Sequence, residues 1–144
     1  MDVTFRPATR DDIPDLARPH VMAGHGLFDA LYHDTIPGLS TSEIYERVLA
    51  RPEPFWSYAS ITVATNGGRV VGEVHSCTFD ETVNGPPDPL IPKDRLVIYE
   101  PFGPLGALGA GSYYIKILSV YPEFRSKDEM LQFSGDLLLM TRSI

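Results

Sequence analysis

Four histidines (His20, His25, His33, His75) and a single cysteine, Cys77, are the side chains of this sequence that could ligate a metal or carry redox chemistry. A protein metal site gathers three or four His, Cys or carboxylate ligands, commonly at close and regular spacing. These histidines show no dense ligand spacing with Cys or carboxylates, so no metal is expected. A lone cysteine cannot close an internal disulfide, which disfavours a redox protein, and Cys77 reads most simply as a small buried hydrophobe. Charge narrows the partners further. With 19 Asp and Glu against 12 Lys and Arg, the net charge is -7. Nonspecific nucleic-acid affinity comes from neutralising phosphates with cations, so no nucleic acid is expected, and small molecules or basic acceptors fit better.

The elements that must position any site begin with Val3-Thr4-Phe5-Arg6, which alternates as a short strand ended by Pro7. Thr9 and Asp12 have capping-box spacing, and Ile13, Leu16, Ala17 and Val21 then share one helical face. Pro14 fits the first turn if Asp11 is the cap, while Pro19 should kink or end the helix near Arg18. After Gly24-His25-Gly26, the pairs Leu27/Leu31 and Phe28/Tyr32 resume helical spacing. Ser40 with Glu43 forms a second capping box, and Ile44, Val48 and Leu49 give the stripe of a helix that stops before Pro52.

From Trp56 onward the pattern is β-rich. Ile61 to Thr65 and Arg69 to His75 flank Asn66-Gly67-Gly68, a turn that tolerates positive φ, and together they read as a hairpin. Residues 81–111 carry six prolines and five glycines, a composition for a loop rather than core, and loops this long are often functional. Ser112 to Val120 is aromatic and β-branched, a strong strand ended by Tyr121-Pro122. The 144 residues suit one domain, where domains run to ~100–200 residues. The charged N-terminus lacks a signal-like apolar stretch and no apolar run approaches the ~20 residues of a membrane span, so a cytoplasmic protein with no membrane association is expected.

Several stretches resemble the GNAT family of acetyl-CoA-dependent N-acetyltransferases. Phe5-Arg6-Pro7-Ala8-Thr9-Arg10-Asp11-Asp12-Ile13 resembles the family's opening, and Gly68-Arg69-Val70-Val71-Gly72 its second hairpin. The most specific match is Tyr114-Ile115-Lys116-Ile117-Leu118-Ser119-Val120-Tyr121-Pro122-Glu123-Phe124-Arg125-Ser126-Lys127, similar to the fourth strand running into the acetyl-CoA motif. The resemblance implies an α+β fold with an α/β-type mixed sheet, GNAT-like and incomplete here. In the family an arginine is followed by G-x-G or G-x-A starting three residues on. Arg125 is present, but Asp128 and Met130 stand at the glycine positions. Those glycines let helix-start N–H groups wrap closely round a pyrophosphate, which side chains obstruct and Asp128 with Glu129 repel.

The tail from Leu131 to Arg142 is similar to the family's closing strand, with Ser134-Gly135-Asp136 as a turn, rather than to the helix that should follow. A junction near residues 127–128 of the single 1–144 domain is therefore expected, with the family's third helix, fifth strand, last helix and sixth strand omitted. The competing reading keeps Leu137 to Ile144 as a truncated third helix after an insertion.

The resemblance also implies site residues. Backbone groups at Leu118 and Val120 would pair with the pantetheine arm, though core packing alone would explain their side chains. Arg125, Ser126 and Lys127 would lie by the cofactor phosphates, with a solvated surface charge as the plain alternative for Arg125. Acetyl transfer needs a base for the ammonium acceptor, an oxyanion donor and an acid for the thiolate. Glu73 is the candidate base and Tyr114 a second catalytic candidate, each competing with the reading of a polar residue on a half-exposed strand. The implied enzyme moves acetyl from acetyl-CoA to a primary amine of a small molecule or peptide, its acceptor site shaped by residues 25–40 and 81–111. The alternative is a catalytically inactive fragment or interaction module that associates, as a homodimer for instance, through the exposed edge of the fourth strand.

Overall fold

The computed structural model describes residues 2–78, 88–102 and 111–125. Their order is β1 (Val3–Pro7), α1 (Ile13–Ala23), α2 (Leu27–Tyr32), α3 (Thr41–Leu49), β2 (Ile61–Asn66), β3 (Arg69–Thr78) and β4 (Tyr113–Val120). The four strands form one sheet in the order β1-β2-β3-β4, each neighbouring pair antiparallel. The β2–β3 turn places Gly67 and Gly68 at φ 59 and 84, which explains two consecutive glycines there.

The helices start where the capping residues stand. Ser40 N and Oγ both donate to Glu43 Oε2, and Glu43 N returns a bond to Ser40 Oγ, opening α3. Thr9 N and Oγ1 donate to Asp12 Oδ2 across a 3-10 turn at Arg10–Asp12, so α1 is capped by Asp12 rather than by Asp11. Of the kink or end expected at Pro19 near Arg18, the end does not occur. The helix runs on to Ala23 with the Pro19 ring buried, and packing of α1 against α3 and β4 outweighs the hydrogen bond that proline forfeits. Pro7, likewise, is the last paired residue of β1, opposite Thr62, rather than a stop before it. The 81–111 segment is not loop alone: Asp88 and Ile91 are buried, and Lys93–Phe102 forms 3-10 turns. The expected strand or hairpin at 131–142 and the junction at 127–128 lie outside the described residues.

The core fills one face of the sheet. Cross-strand rows Ile61–His75–Ile117 and Val63–Glu73–Ser119 are buried together with Leu16, Ala17, Leu31, Ile44, Val48 and Leu49 of the helices. A fully buried Leu or Ile contributes roughly 1.5–3 kcal/mol, so this layer anchors the helices over the sheet. The strands are irregular in two places. Ala64 pairs with Gly72 but Thr65 with Val70, which leaves Val71 unmatched in β3. His75 pairs with Ile117 but Ser76 with Ile115, which leaves Lys116 unmatched in β4.

The bulge at Lys116 switches the alternation of β4. Tyr113 and Ile115 before it, and Leu118 and Val120 after it, are all exposed, at 65%, 50%, 65% and 38%. Lys116, Ile117 and Ser119 turn toward the helices instead. One extra residue thus gathers four apolar side chains on the outer face and brings a lysine inside.

Candidate active site

Beneath α1 and α3 the sheet buries a cluster of polar groups. Glu73 of β3 is 3% exposed, and His20 of α1 and His75 of β3 are fully buried. Glu73 was weighed against a polar residue on a half-exposed strand; at this position the strand is buried rather than half-exposed. Ser119 Oγ donates to Glu73 Oε1 at 3.4 Å, and His20 Nδ1 lies 3.3 Å from the same oxygen but out of line for a hydrogen bond. On its other side, His20 Nε2 is 3.0 Å from Tyr45 Oη of α3. Lys116 Nζ donates to Tyr45 Oη at 3.3 Å and to the Phe55 carbonyl at 3.1 Å. The ammonium also lies 4.2 Å from the ring centroids of both Phe55 and Trp56, a cation–π arrangement.

Burial decides the ionisation of this cluster. Desolvation pushes the Glu73 carboxyl up to about 8, against smaller opposing pulls from Ser119 and Lys116. Desolvation draws Lys116 down to about 7 and His75 down to about 3. His20 falls well below its usual value, from burial first and then from Lys116 and His75. The Tyr45 phenol is pushed up by burial. Near neutral pH the histidines are therefore neutral, and Glu73 and Lys116 are the two groups poised to change charge. A carboxyl titrating there can take a proton from a reacting group in mildly basic solution.

The other sequence-predicted residues are spread around this cluster. Tyr114 is half-buried on β4, paired across the ladder with Cys77, and burial raises its phenol. Cys77 is buried, as expected. Leu118 and Val120 are not core: both side chains are exposed, so packing does not account for them. Among the described residues nothing pairs with β4 on the side away from β3. Arg125 is exposed, and its Nε donates to the Val120 carbonyl at 2.8 Å, tying the chain back to the end of β4. Ser126 and Lys127 lie outside the described residues. A polar hollow of about 500 Å³ opens between α1 and the end of β4, by Asp15, Arg18, Arg69, Tyr121 and Glu123, and none of the sequence-predicted site residues lines it.

His20, Tyr45, His75, Lys116 and Ser119 were not anticipated. Two signals existed: His75 sits two residues after Glu73 and so shares its face, and Lys116 is the one charged residue in a largely apolar and aromatic strand. Neither signal reveals that α1 and α3 bring His20 and Tyr45 to the same place. Among the described residues, no group of three His, Cys, Asp or Glu side chains could hold a metal ion, and no helix is long and apolar enough to cross a membrane.

The fold is similar to that of two solved structures. One crystal structure described as an acetyltransferase superposes with a TM-score of 0.53 at 18% identity, over 85% of this chain and 65% of that one. A second, described as an N-acetyltransferase from Staphylococcus aureus Mu50, gives 0.56 at 17% identity, over 86% of this chain and 68% of that one. No protein-family model matches the sequence, and no curated protein matches it. The chain thus has a mixed α/β fold similar to that of these two structures, and it spans about two thirds of the length of each.

Proposed function

We propose that the protein is an N-acetyltransferase that moves acetyl from acetyl-CoA to a primary amine of a small molecule or peptide by direct attack. The observation that carries this reading is Glu73: a carboxyl buried within an acetyltransferase-like fold, with a pKa lifted to about 8. Such a group is a stronger base than an ordinary carboxylate and takes the proton of an ammonium acceptor.

Acetyl-CoA supplies the activated thioester. The residues present fit its pantetheine arm, because the β4 edge is unpaired among the described residues and Leu118 and Val120 are exposed beside it. Arg125, held at the end of that strand, provides a cation for the phosphates. Asp128 and Met130, where the family's glycines stand, weaken that end of the site.

The test is acetyl-CoA turnover by thiol release against a panel of primary amines and lysine peptides, from about pH 6 to about pH 9. The rate is expected to rise with pH through about 8 as Glu73 ionises, and Glu73→Gln should lower it at least about tenfold and flatten the profile. No turnover with any amine, together with no acetyl-CoA binding by calorimetry, overturns the reading. That outcome favours an interaction module instead, for which the exposed apolar row Tyr113, Ile115, Leu118 and Val120 is the supporting observation.

A further inference from the structure

Five side chains from four elements run in sequence through the buried face: Lys116, Tyr45, His20, Glu73 and Ser119. Lys116 Nζ is 3.3 Å from Tyr45 Oη, Tyr45 Oη 3.0 Å from His20 Nε2, His20 Nδ1 3.3 Å from Glu73 Oε1, and Glu73 Oε1 3.4 Å from Ser119 Oγ. One direction of the set has Tyr45 accepting from the lysine and its one proton turned to His20 Nε2. Nε2 is then unprotonated, and the neutral imidazole carries its proton on Nδ1, facing Glu73.

We propose that Lys116 and Glu73 share one proton through Tyr45 and His20, which makes His20, Tyr45 and Lys116 positioning residues that set the ionisation of the Glu73 carboxylate. In one form Lys116 is an ammonium and Glu73 a carboxylate. The other form is reached when a Lys116 proton passes to the Tyr45 oxygen, the Tyr45 proton to His20 Nε2 and the Nδ1 proton to Glu73 Oε1. Only N–H and O–H bonds break and form, and the net charge of the set is unchanged. The second form is a neutral amine and a carboxylic acid, which avoids the cost of burying two charges.

Two observations support the exchange, and the contact from His20 Nδ1 to Glu73 Oε1, 3.3 Å apart and out of line, is the link that a turn of the imidazole must complete. Burial keeps His20 from becoming an imidazolium, so it passes protons rather than storing one. Glu73, at about 8, lies above Lys116, at about 7, the reverse of their usual order, which brings the neutral pair into reach near neutrality. The surrounding groups act on this balance too, Cys77 and Asp88 raising Lys116 more than Glu73 does. Around Lys116 stand Cys77 of β3, Tyr45 of α3 and, from the segment after β3, Asp88, which is already held by Arg51 at 2.7 Å and by the Tyr32 hydroxyl. Around Glu73 stand His20 of α1, Ser119 of β4 and Tyr121 beyond it, and His75, whose Nε2 is 3.4 Å from the Pro54 carbonyl, shares its strand. Tyr99 and Tyr114 are raised phenols that stay protonated in this range.

The acetyltransferase reading gives the carboxylate its task, but the test needs neither acetyl-CoA nor turnover. In the full chain with labelled Glu, Lys and His, NMR from about pH 5 to about pH 10 follows Glu73 Cδ, Lys116 Nζ and the His20 nitrogens. Glu73 and Lys116 are expected to titrate in one shared window, with His20 as the Nδ1–H tautomer in the charged form and the Nε2–H tautomer in the neutral one. Lys116→Met should raise the Glu73 midpoint by at least about one unit, a tenfold change in proton affinity. Tyr45→Phe removes the phenol proton without changing charge and should split the shared window into two independent steps. Lys116 remaining an ammonium past about pH 9, a His20 tautomer that does not change across the window, or a shared window that survives Tyr45→Phe overturns the relay. The wild-type titration decides alone if either variant fails to fold. A shared window without acetyl transfer leaves the relay standing and counts against the enzyme; turnover with independent titrations does the opposite.

Discussion

Replacing Glu73 by Gln should stabilise the protein in mildly basic solution, because Glu73 titrates at about 8 in the fold against 4.5 when unburied. The folded state holds this proton more tightly than the unfolded one. Below about pH 4.5 both states are protonated and Glu73 has no ionisation cost; between 4.5 and 8 the unfolded chain releases its proton and the folded chain does not, so stability falls as pH rises. At about 1.36 kcal/mol per unit, the loss reaches roughly 3 kcal/mol at neutrality and approaches ~5 kcal/mol above the folded value. Glutamine keeps the shape and cannot ionise, so its stability lacks this slope. His20 and His75 act oppositely, since their depressed values cost stability as pH falls through the ordinary histidine range, but both variants carry them and the effect cancels in the difference. The assay is urea unfolding of wild type and Glu73→Gln at about pH 5 and about pH 8. The wild type should lose roughly 3–4 kcal/mol more than the variant between the two. Parallel curves would show that Glu73 is solvated or ionised in the fold, and the base argument would lose its physical ground.

Arg125→Ala should raise the Michaelis constant for acetyl-CoA about fivefold, matching ~1 kcal/mol for a charge-assisted contact, and leave that for the amine nearly unchanged; equal effects on both return Arg125 to a surface charge. Gly72→Ala places a methyl group 2.9 Å from the Ser119 carbonyl oxygen and 3.3 Å from Val120 Cγ2, forcing β3 and β4 apart. Urea unfolding should show a loss of ~1–3 kcal/mol, and an unchanged midpoint would contradict the close approach of these strands. Millimolar acetyl-CoA should raise the melting temperature by less than about 2 °C, because Asp128 and Met130 replace glycines and binding near its dissociation constant contributes under about 1 kcal/mol. A rise above about 5 °C in a thermal-shift assay would mean that those side chains do not obstruct the phosphates.

Local chemistry made much of the fold legible. Ser40 with Glu43, the Gly67-Gly68 turn and the aromatic and β-branched run before Tyr121-Pro122 each act through the backbone of their own neighbourhood, and each element stands where those residues put it. Pro19 misled because its cost is local while the compensation is tertiary: a proline inside a helix forfeits one bond, and burial of α1 against α3 and β4 outweighs it. Asp88 and Ile91 were hidden for a related reason. A proline-rich stretch reads as solvent-facing, and nothing in its own composition reveals the Arg51 and Tyr32 side chains that make a buried aspartate tolerable.

The site was legible only where side chains share a strand face. Glu73 and His75 are two apart and point the same way, but period-two alternation puts Lys116 on one face with Leu118 and Val120 and opposite Ile117 and Ser119. On that rule, if Leu118 and Val120 face the coenzyme, Lys116 faces it too and is far from Glu73. The unmatched residue in β4 breaks the rule, turning Lys116 inward while Leu118 and Val120 stay outward. A bulge leaves no composition signal, since it depends on how two strands align rather than on either sequence alone. The same single insertion therefore exposes the apolar row proposed to meet the coenzyme and delivers the ammonium to the buried carboxylate cluster. If Lys116 were paired regularly, one of those two features would be lost, so the outer face and the inner relay depend on one register shift between His75 and Ser76.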